Sequence, residues 1–316
     1  MARKITIEAP SRLHLGLVNP FNKDYRLYIA VGVAIDRPQT VISVYVDDPI
    51  SIEGCRSSEV YTRIKPIVEE YGLKRGRVVI EKCVPVHVGL GSTTQLLLSV
   101  AHGLMLSNGL NPDVAEIVEM AKKIGLGRIS GVGTYIYMYG GLVVDSGKRH
   151  EADFPQLLMR FEVPESWRFV VAIPAGTGLD EIREREVFEA REEVPGEVIW
   201  YASYTLFAEL LPSLLEGEFE LFAKALTKFQ ETVGKMFSKY QGGVFAQHSA
   251  AVINKMKELG LVGVGQSSWG PTVYGITDTH EKAVEVSSKL KEVFDGLHVF
   301  VARPRNKGAV VRFVVE

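Results

Sequence analysis

Cysteine and net charge are two things this sequence has little of. Its 316 residues include two cysteines, Cys55 and Cys83, with neither metal-ligand spacing nor the density of a disulfide-stapled secreted domain. We therefore expect reduced, half-buried thiols in an intracellular protein. The 36 basic and 38 acidic residues leave a formal charge of -2. Because this balance offers no cationic excess for a nucleic-acid backbone, we expect no nucleic-acid partner.

Long apolar runs are also missing. No apolar run reaches the roughly 18 residues of a membrane span, and no apolar region follows Arg3 and Lys4 as it would in a signal peptide. These absences predict a cytoplasmic protein with no membrane partner. What is present is a globular composition, 46% hydrophobic and 23% charged, over a length that favours two domains with a large core.

The most informative stretch is a glycine-rich segment at 84–95, between a β-like apolar run and an apolar helical run. A strand, a glycine turn and a helix together offer backbone N–H groups and a positive dipole end to an anion. Gly89 and Gly91 let a phosphate approach the backbone closely. Three hydroxyl side chains can cap the helix and still bind a phosphate oxygen or a metal ion: Ser92, Thr93 and Thr94. The alternative is an ordinary strand-to-helix turn.

A second signal is the alternation of leucines with other residues at 12–19, which predicts a half-buried strand after a break at 9–11. The period of two places Arg12 and His14 on one face, away from the leucines. That face is either solvated or turned toward an anionic substrate. Asp36 and Asp145 are candidates for further metal ligands, although no spacing selects one of them.

The second half of the chain alternates helices and strands after a less regular region near residue 160, which we take as the domain boundary. The alternation, which ends with a strand at 310–315, predicts an α+β sandwich with helices on one face of a four-stranded antiparallel sheet. The charge-dense stretch at 180–197 is typical of a solvated helix or mobile flap. A glycine-bearing loop at 263–270 includes Trp269, and because such loops lie at surfaces we favour a ring-stacking role for it.

Three segments, in order, resemble the motifs of the GHMP superfamily of small-molecule kinases. They are Pro-Ser-Arg-Leu at 10–13, Pro-x-x-x-Gly-Leu-Gly-Ser-Thr at 85–93, and the glycine-rich loop at 263–270. The resemblance implies a two-domain GHMP kinase-like fold, with an N-terminal phosphate-loop domain at 1–160 and a C-terminal ferredoxin-like antiparallel α/β sandwich at 161–316. It also implies that the loop at 89–94, Leu90 included, cradles a pyrophosphate or nucleotide phosphate chain, and that Ser92 meets Mg²⁺.

One departure from the superfamily pattern concerns catalysis. Kinases that this sequence resembles carry Ser-Gly-x-Asp ahead of a Gly-Gly pair, and that Asp is the usual base beside the substrate hydroxyl. Here residues 130–133 are Ser-Gly-Val-Gly, so Gly133 stands where the base would be. A hydrogen atom cannot replace a carboxylate that takes a proton, so a kinase would need a different carboxylate.

Four stretches, at 12–17, 89–95, 130–135 and 265–274, resemble one branch, the β-ribofuranosylaminobenzene 5'-phosphate synthase family. That family acts in methanopterin biosynthesis, mainly in archaea. The resemblance implies a pentosyltransferase that joins phosphoribosyl pyrophosphate to 4-aminobenzoate or 4-hydroxybenzoate and releases CO2 and pyrophosphate. It further implies Mg²⁺ as cofactor and a homodimer. Since this reaction takes no proton from a hydroxyl nucleophile, it tolerates Gly133.

Such a protein must hold the aryl carboxylate near C1 of the ribose, which requires cations or hydroxyl donors and an aromatic or apolar wall. The candidates for catalysis are Arg12 and His14, and those for substrate binding are Arg26, Gln266, Ser267, Ser268 and Trp269. Two alternatives stay open: an ATP-dependent small-molecule kinase, and a non-catalytic ligand-binding relative.

Overall fold

The computed structural model describes residues 3–175, 181–189 and 194–314. Its strands are β1 (Lys4–Asn19), β2 (Tyr28–Pro49), β3 (Ser51–Gly54), β4 (Arg75–Lys82), β5 (Leu142–Asp145), β6 (Leu157–Phe161), β7 (Arg168–Ile173), β8 (Val262–Gln266), β9 (Val273–Thr277), β10 (His298–Ala302) and β11 (Val310–Val314). Its helices are α1 (Ser57–Glu70), α2 (Ser92–Ser107), α3 (Val114–Lys123), α4 (Val132–Tyr139), α5 (Glu181–Glu189), α6 (Gly196–Tyr204), α7 (Leu211–Glu216), α8 (Phe219–Gln241), α9 (Gln247–Glu258) and α10 (His280–Val293), with a π-helical segment (Thr205–Leu210) between α6 and α7.

Two sheets organise these elements. In the first, β11, β1, β2, β4 and β3 lie side by side in that order, and β5 and β6 extend the sheet from β2. In the second, β10, β7, β9 and β8 form an antiparallel sheet. Helix α8 packs against both β1 and β8 and so joins the two sheets. The predicted α+β class is confirmed.

The two longest strands, β1 and β2, are continuous, and the break predicted at 9–11 does not end β1. At the expected interruption at 9–11, β1 continues and only its register with β2 shifts, because β2 carries extra residues through the polar stretch at 36–38. The hydroxyl of Ser11 donates a hydrogen bond to the carbonyl of Pro38 at 2.6 Å, which joins the two irregular points. A proline at a bulge does not cost the ladder a hydrogen bond, so pairing continues across it.

The last strand departs from the predicted division of the chain. Strand β11 pairs with β1, from Lys4 opposite Val314 to Glu8 opposite Val310. The final strand therefore belongs to the first sheet, and β8 takes the expected fourth place in the second. Pairing with β11 covers an edge of β1 that would otherwise expose unpaired backbone groups. The expected boundary near 160 falls at the end of β6, before the second sheet begins at β7.

Helix α2 lies at the centre of the first half. Its residues from 95 to 101 are all buried, and it packs against β1, β2, β4, α1, α3 and α4. An apolar surface on every side is typical of a helix enclosed by other elements. His102 lies on this helix with its Nδ1 2.9 Å from the hydroxyl of Tyr137, and burial lowers its pKa to about 4. It is a core histidine.

The two cysteines are bonded to each other in the structure. Strands β3 and β4 run parallel, with Gly54 opposite Ile80. Cys55 and Cys83 follow these strands, with their Cα atoms 6.6 Å apart, and form a disulfide. The expectation of two reduced thiols is wrong, because strand pairing brings together residues that lie 28 positions apart in the sequence.

Among the described residues, one helical stretch, at 196–216, is long and apolar enough by length and composition to cross a membrane. It is assembled from α6, the π-helical segment and α7. The side chains of Ile199, Leu206 and Leu210 are buried in the core, and the stretch packs along α8. The stretch is thus partly buried against the rest of the protein, and its opposite side leaves Trp200, Tyr204 and Leu215 exposed.

Candidate active site

Three segments that are far apart in the sequence meet at the start of α2. The N–H of Arg12 donates to the carbonyl of Leu90 at 3.1 Å, and the N–H of Thr272 donates to the carbonyl of Val88 at 3.2 Å. Ser267 joins all three segments, since its hydroxyl donates to the carbonyl of Gly89 at 2.6 Å and accepts from the N–H of His14 at 2.9 Å. The three motif segments of the sequence therefore form one site.

Two glycines permit this close approach. Gly91 has φ 72°, and a Cβ there would lie 2.8 Å from Cγ of Arg12. Gly89 has φ 92°, and a Cβ there would collide with the carbonyl of Ser267. Both backbone conformations are ones that L side chains rarely adopt. The loop is thus shaped for contact with β1 on one side and with the loop at 267–270 on the other.

The first turn of α2 is left open. Its N-cap is Gly91, in the left-handed conformation, and no side chain caps the helix. The expectation that Ser92, Thr93 or Thr94 caps it is wrong, because these residues already lie within the helix. The N–H groups of the first turn therefore point out of the helix end without a capping side chain, as an anion-binding helix start requires.

The residues of the phosphate loop surround a small cavity of about 160 Å³. Ser92 lines it and is 6% exposed. The other lining residues are Arg12, His87, Gly89, Gly91, Thr93, Thr94, Glu184, Ser268, Trp269 and Gly270. Arg56 fixes the outer side of the loop, since its Nη2 donates to the hydroxyl of Thr93 at 2.9 Å. Leu90 is buried below the loop and acts through its carbonyl.

Arg12 and His14 present different electrostatics to the site. Burial lowers the pKa of Arg12 to about 10, an effect that the nearby Glu184 carboxylate opposes, so the guanidinium stays charged at neutral pH. Its Nε is buried without a hydrogen-bond partner, while Nη1 reaches the carbonyl of Gly89 at 3.4 Å. Burial, and then the charge of Arg12, hold the pKa of His14 well below its usual value, so His14 is a neutral imidazole.

A larger cavity, of about 910 Å³, opens beside the loop, and both Arg12 and His14 line it. Four aromatic rings form one of its walls: Phe21, Phe188, Phe237 and Trp269. The ring centroids of Phe237 and Trp269 are 4.7 Å apart, and those of Phe21 and Phe237 are 5.5 Å apart. Such a wall offers ring faces and edges to a flat apolar ligand. The expected place of Trp269 at a ring-stacking wall is consistent with this geometry.

The charge-dense stretch contributes to the site, which the sequence interpretation missed. Asp180 and residues 190–193 lie outside the described residues, but α5 is not simply solvated. Phe188 is 9% exposed within the aromatic wall, and Glu184 lines both cavities. The one signal in the sequence was a Val-Phe pair at 187–188 among charged residues, which marks a buried face on an otherwise polar helix.

Of the other residues predicted to bind substrate, some line the large cavity and one does not. Arg26 is exposed, donates hydrogen bonds to Ser146, and is not among the described residues that line the cavity, so its expected role in binding is not supported by its position. Gln266 and Ser268 line the large cavity. Gln266 also accepts from the N–H of Ala246 at 3.0 Å and donates to the carbonyl of Ser268 at 3.1 Å, and so holds the loop in shape.

The space in front of Gly133 is filled by a neighbour. A Cβ on Gly133 would lie 3.1 to 3.3 Å from side-chain atoms of Thr94, so a longer side chain would displace that threonine. Asp145 accepts hydrogen bonds from three backbone N–H groups and from the hydroxyl of Ser130. Asp36 accepts from the N–H of Arg303 at 2.8 Å. The carboxylates of both aspartates accept hydrogen bonds from other parts of the protein, and neither residue lines the cavities described above.

Comparison with known families agrees with this geometry. The GHMP kinases N terminal domain matches residues 59–141, and the GHMP kinases C terminal domain matches residues 210–296. The chain belongs to the GHMP kinase superfamily, as predicted. A homoserine kinase from Cytophaga hutchinsonii has the same fold, with a TM-score of 0.74 at 18% identity over 99% of this chain and 98% of that one.

Within the superfamily, the chain is similar from end to end to archaeal proteins of one name. The β-ribofuranosylphenol 5'-phosphate synthase of Methanothermobacter thermautotrophicus is 28% identical over 98% of this chain and 99% of its own length. The protein of the same name in Archaeoglobus fulgidus is 28% identical over 97% of this chain and 99% of its own length. This similarity covers the phosphate loop, the Gly133 region and the loop at 263–270 alike.

Proposed function

We propose that this protein is a decarboxylating phosphoribosyltransferase. It joins phosphoribosyl pyrophosphate to 4-aminobenzoate or 4-hydroxybenzoate in methanopterin biosynthesis. One observation carries the proposal: a single cavity connects an uncapped helix start beside Arg12 to a wall of four aromatic rings. The names of the archaeal relatives support the same substrate class. The homodimeric state and the cytoplasmic location are part of the proposal.

The proposed reaction does not require a residue that removes a proton. The bond from ribose C1 to the pyrophosphate oxygen breaks, and its electron pair leaves with pyrophosphate. The ring carbon that bears the carboxylate donates an electron pair to C1 and forms the new C–C bond, and the para amino or hydroxyl group stabilises the cationic ring. The bond to the carboxylate then breaks, its electron pair restores aromaticity, and CO2 leaves. No proton moves, so the position of Gly133 needs no carboxylate.

The residues of the site have separate tasks in this reaction. The N–H groups at the start of α2 and the charge of Arg12 stabilise negative charge as it develops on the leaving pyrophosphate. The aromatic wall holds the benzoate ring and excludes water. The neutral imidazole of His14 can donate a hydrogen bond to the carboxylate. Because His14 carries no fixed positive charge, it does not oppose the loss of the carboxylate charge as CO2 forms.

The oxygen atoms that line the cavity at the phosphate loop are suited to Mg²⁺ that binds together with the substrate. The described residues include no group of three or more His, Cys, Asp and Glu side chains that could hold a metal ion on their own. Ser92 and Glu184 line the loop cavity and supply oxygen donors. Mg²⁺ usually takes one or two protein oxygens and completes its shell with water and substrate phosphates. Bound there, Mg²⁺ would neutralise charge on the pyrophosphate.

The test supplies the protein with Mg²⁺, phosphoribosyl pyrophosphate and carboxyl-labelled 4-aminobenzoate or 4-hydroxybenzoate. We expect equal release of labelled CO2 and pyrophosphate. The Arg12→Gln variant should lower kcat/KM by about 100-fold, the usual effect of losing one donor to a developing charge. The matched control is Arg37→Gln, because Arg37 is exposed outside the cavity and its loss removes the same charge.

Release of no labelled CO2 from either benzoate would overturn the proposal. The two alternatives give different results in the same preparation. ATP consumption that depends on an alcohol would indicate a kinase, in which a carboxylate such as Glu184 replaces the missing base. Ligand binding by calorimetry without any turnover would indicate a non-catalytic relative.

A further inference from the structure

Arg56 contacts the phosphate loop without lining either cavity. It is the N-cap residue of α1, and its Nη2 donates to the hydroxyl oxygen of Thr93 at 2.9 Å. Thr93 lines both cavities, whereas Arg56 is not among the described residues that line either of them. The arginine can therefore act on a bound ligand through the threonine.

The guanidinium group of Arg56 is held in a fixed position by a carboxylate. Its Nε donates to Oε2 of Glu59 at 2.7 Å, and its Nη2 donates to Oε1 of Glu59 at 2.6 Å. Two such bonds fix the plane of the guanidinium group as well as its distance. The contact lowers the pKa of Glu59, so the carboxylate is ionised at neutral pH. Because the pair as a whole carries no net charge, Arg56 serves as a placed donor rather than as a free positive charge.

The backbone at Arg56 is in a conformation that non-glycine residues rarely adopt. Its φ is 57° and its ψ is 20°, in the left-handed region. Glycine adopts this conformation without strain, so an arginine at this position points to a role for its side chain. The disulfide between Cys55 and Cys83 ties the residue before Arg56 to the start of the segment that leads into the phosphate loop.

The hydrogen bond from Arg56 leaves the hydroxyl of Thr93 with a hydrogen to donate. A hydroxyl group has one hydrogen and two lone pairs that accept. At Thr93 one lone pair is taken by Arg56, and no described residue accepts a hydrogen bond from the O–H group. The hydrogen is therefore left for a ligand in the cavities that Thr93 lines. A hydrogen bond from a guanidinium group also polarises the O–H bond and makes it a stronger donor.

We propose that Arg56 is a positioning residue that makes the hydroxyl of Thr93 a donor to a phosphate oxygen bound at the start of α2. The inference rests on the proposed function and deepens it, because it adds one oriented side-chain donor to the backbone N–H groups that hold the pyrophosphate. It also separates two neighbouring hydroxyls. Thr93 serves the anion, and Ser92, to which no described side chain donates, remains for Mg²⁺.

The test is a double-mutant cycle on the affinity for inorganic pyrophosphate, measured by calorimetry. Thr93→Val removes the hydroxyl at nearly constant volume and should weaken binding by about 10-fold, as expected for a lost hydrogen bond to a charged group. Arg56→Gln should weaken binding by about 5-fold in the wild-type background. In the Thr93→Val background it should weaken binding by less than about twofold, because the arginine acts through the hydroxyl.

Two variants serve as controls for this cycle. Thr93→Ser keeps the hydroxyl and should bind pyrophosphate within about twofold of wild type. Arg77→Gln breaks another pair of an arginine and a carboxylate, with Asp48 at 2.8 Å, and should leave the affinity unchanged because neither residue is among those that line the cavities. Melting temperatures show that each variant is folded, and Thr93→Ala replaces Thr93→Val in the cycle if the latter is not.

Independent effects of the two substitutions would overturn the proposal. If Arg56→Gln weakens pyrophosphate binding by the same factor in the wild-type and Thr93→Val backgrounds, the arginine does not act through the hydroxyl. Wild-type affinity in Arg56→Gln, or wild-type protein that does not bind pyrophosphate, would also reject it. The turnover assay distinguishes this role from the proposed reaction. Coupled effects without CO2 release would support the role of Arg56 and reject the reaction, and normal CO2 release with independent effects would do the reverse.

Discussion

At the scale of single residues, the site depends on atoms that are absent as well as on those that are present. Gly91 leaves room for the stem of Arg12, and Gly133 leaves room for Thr94. The motifs in the sequence predicted Arg12 and Trp269 as site residues, and both line the cavities. The role of Ser267 could not be predicted, because its hydroxyl links two backbone segments about 180 and 250 positions away. Such links follow from the packed fold and leave no local pattern.

Gly91→Ala tests this dependence on an absent side chain. A methyl group at residue 91 would lie 2.8 Å from Cγ of Arg12 and would also strain a backbone with φ 72°. We expect pyrophosphate affinity to fall by about 10-fold, because Arg12 is displaced from the helix start. Stability should fall by about 1 to 2 kcal/mol from the left-handed backbone. Calorimetry and urea unfolding measure the two effects.

The control for this variant is Gly109→Ala. Gly109 has φ 80°, and nothing lies within 4 Å of the place where its Cβ would stand. It should therefore show the loss of stability and keep its affinity for pyrophosphate. If both variants lose affinity alike, the contact between Gly91 and Arg12 is not what positions the guanidinium.

At the scale of elements, local sequence patterns predicted most helices and strands. The features they missed depend on which strands pair with each other. The strand, turn and helix around residues 84–95 are present, because apolar periodicity and glycine placement are local properties. The break expected at 9–11 is absent, since long strands that pair with each other tolerate a bulge or a proline. The sequence analysis expected free thiols at Cys55 and Cys83, because the cysteine count does not reveal that β3 and β4 are neighbouring strands.

The disulfide gives a prediction at this scale. It closes a loop of 28 residues, which spans α1 and ends just before the phosphate loop. We expect a reducing agent to lower the free energy of unfolding by about 3 kcal/mol, because the reduced unfolded chain regains the entropy of that loop. Urea unfolding with and without dithiothreitol measures the change. The Cys83→Ser variant serves as control and should unfold identically under both conditions. Titration of two free thiols in the unreduced, unfolded protein would contradict the prediction.

At the scale of the whole molecule, the cavity lies between parts of the chain that no local pattern connects. The aromatic wall takes Phe21 from the segment after β1, Phe188 from α5, Phe237 from α8 and Trp269 from the loop after β8. Sequence comparison of motifs predicted the fold and the three loops, because those are family features. It could not predict the aromatic wall, since the wall is formed by side chains that converge only after the two sheets pack on α8.

The return of the chain to its first sheet gives the last prediction. Strand β11 covers the edge of β1, and β1 carries Arg12 and His14 into the cavity. A chain shortened to end at Ala309 exposes that edge, so we expect a lower melting temperature, self-association on gel filtration and weaker pyrophosphate binding. A chain ended at Val314 keeps every described pair with β1 and should behave as wild type. If the chain ended at Ala309 stays monomeric and binds pyrophosphate normally, β11 does not support the site.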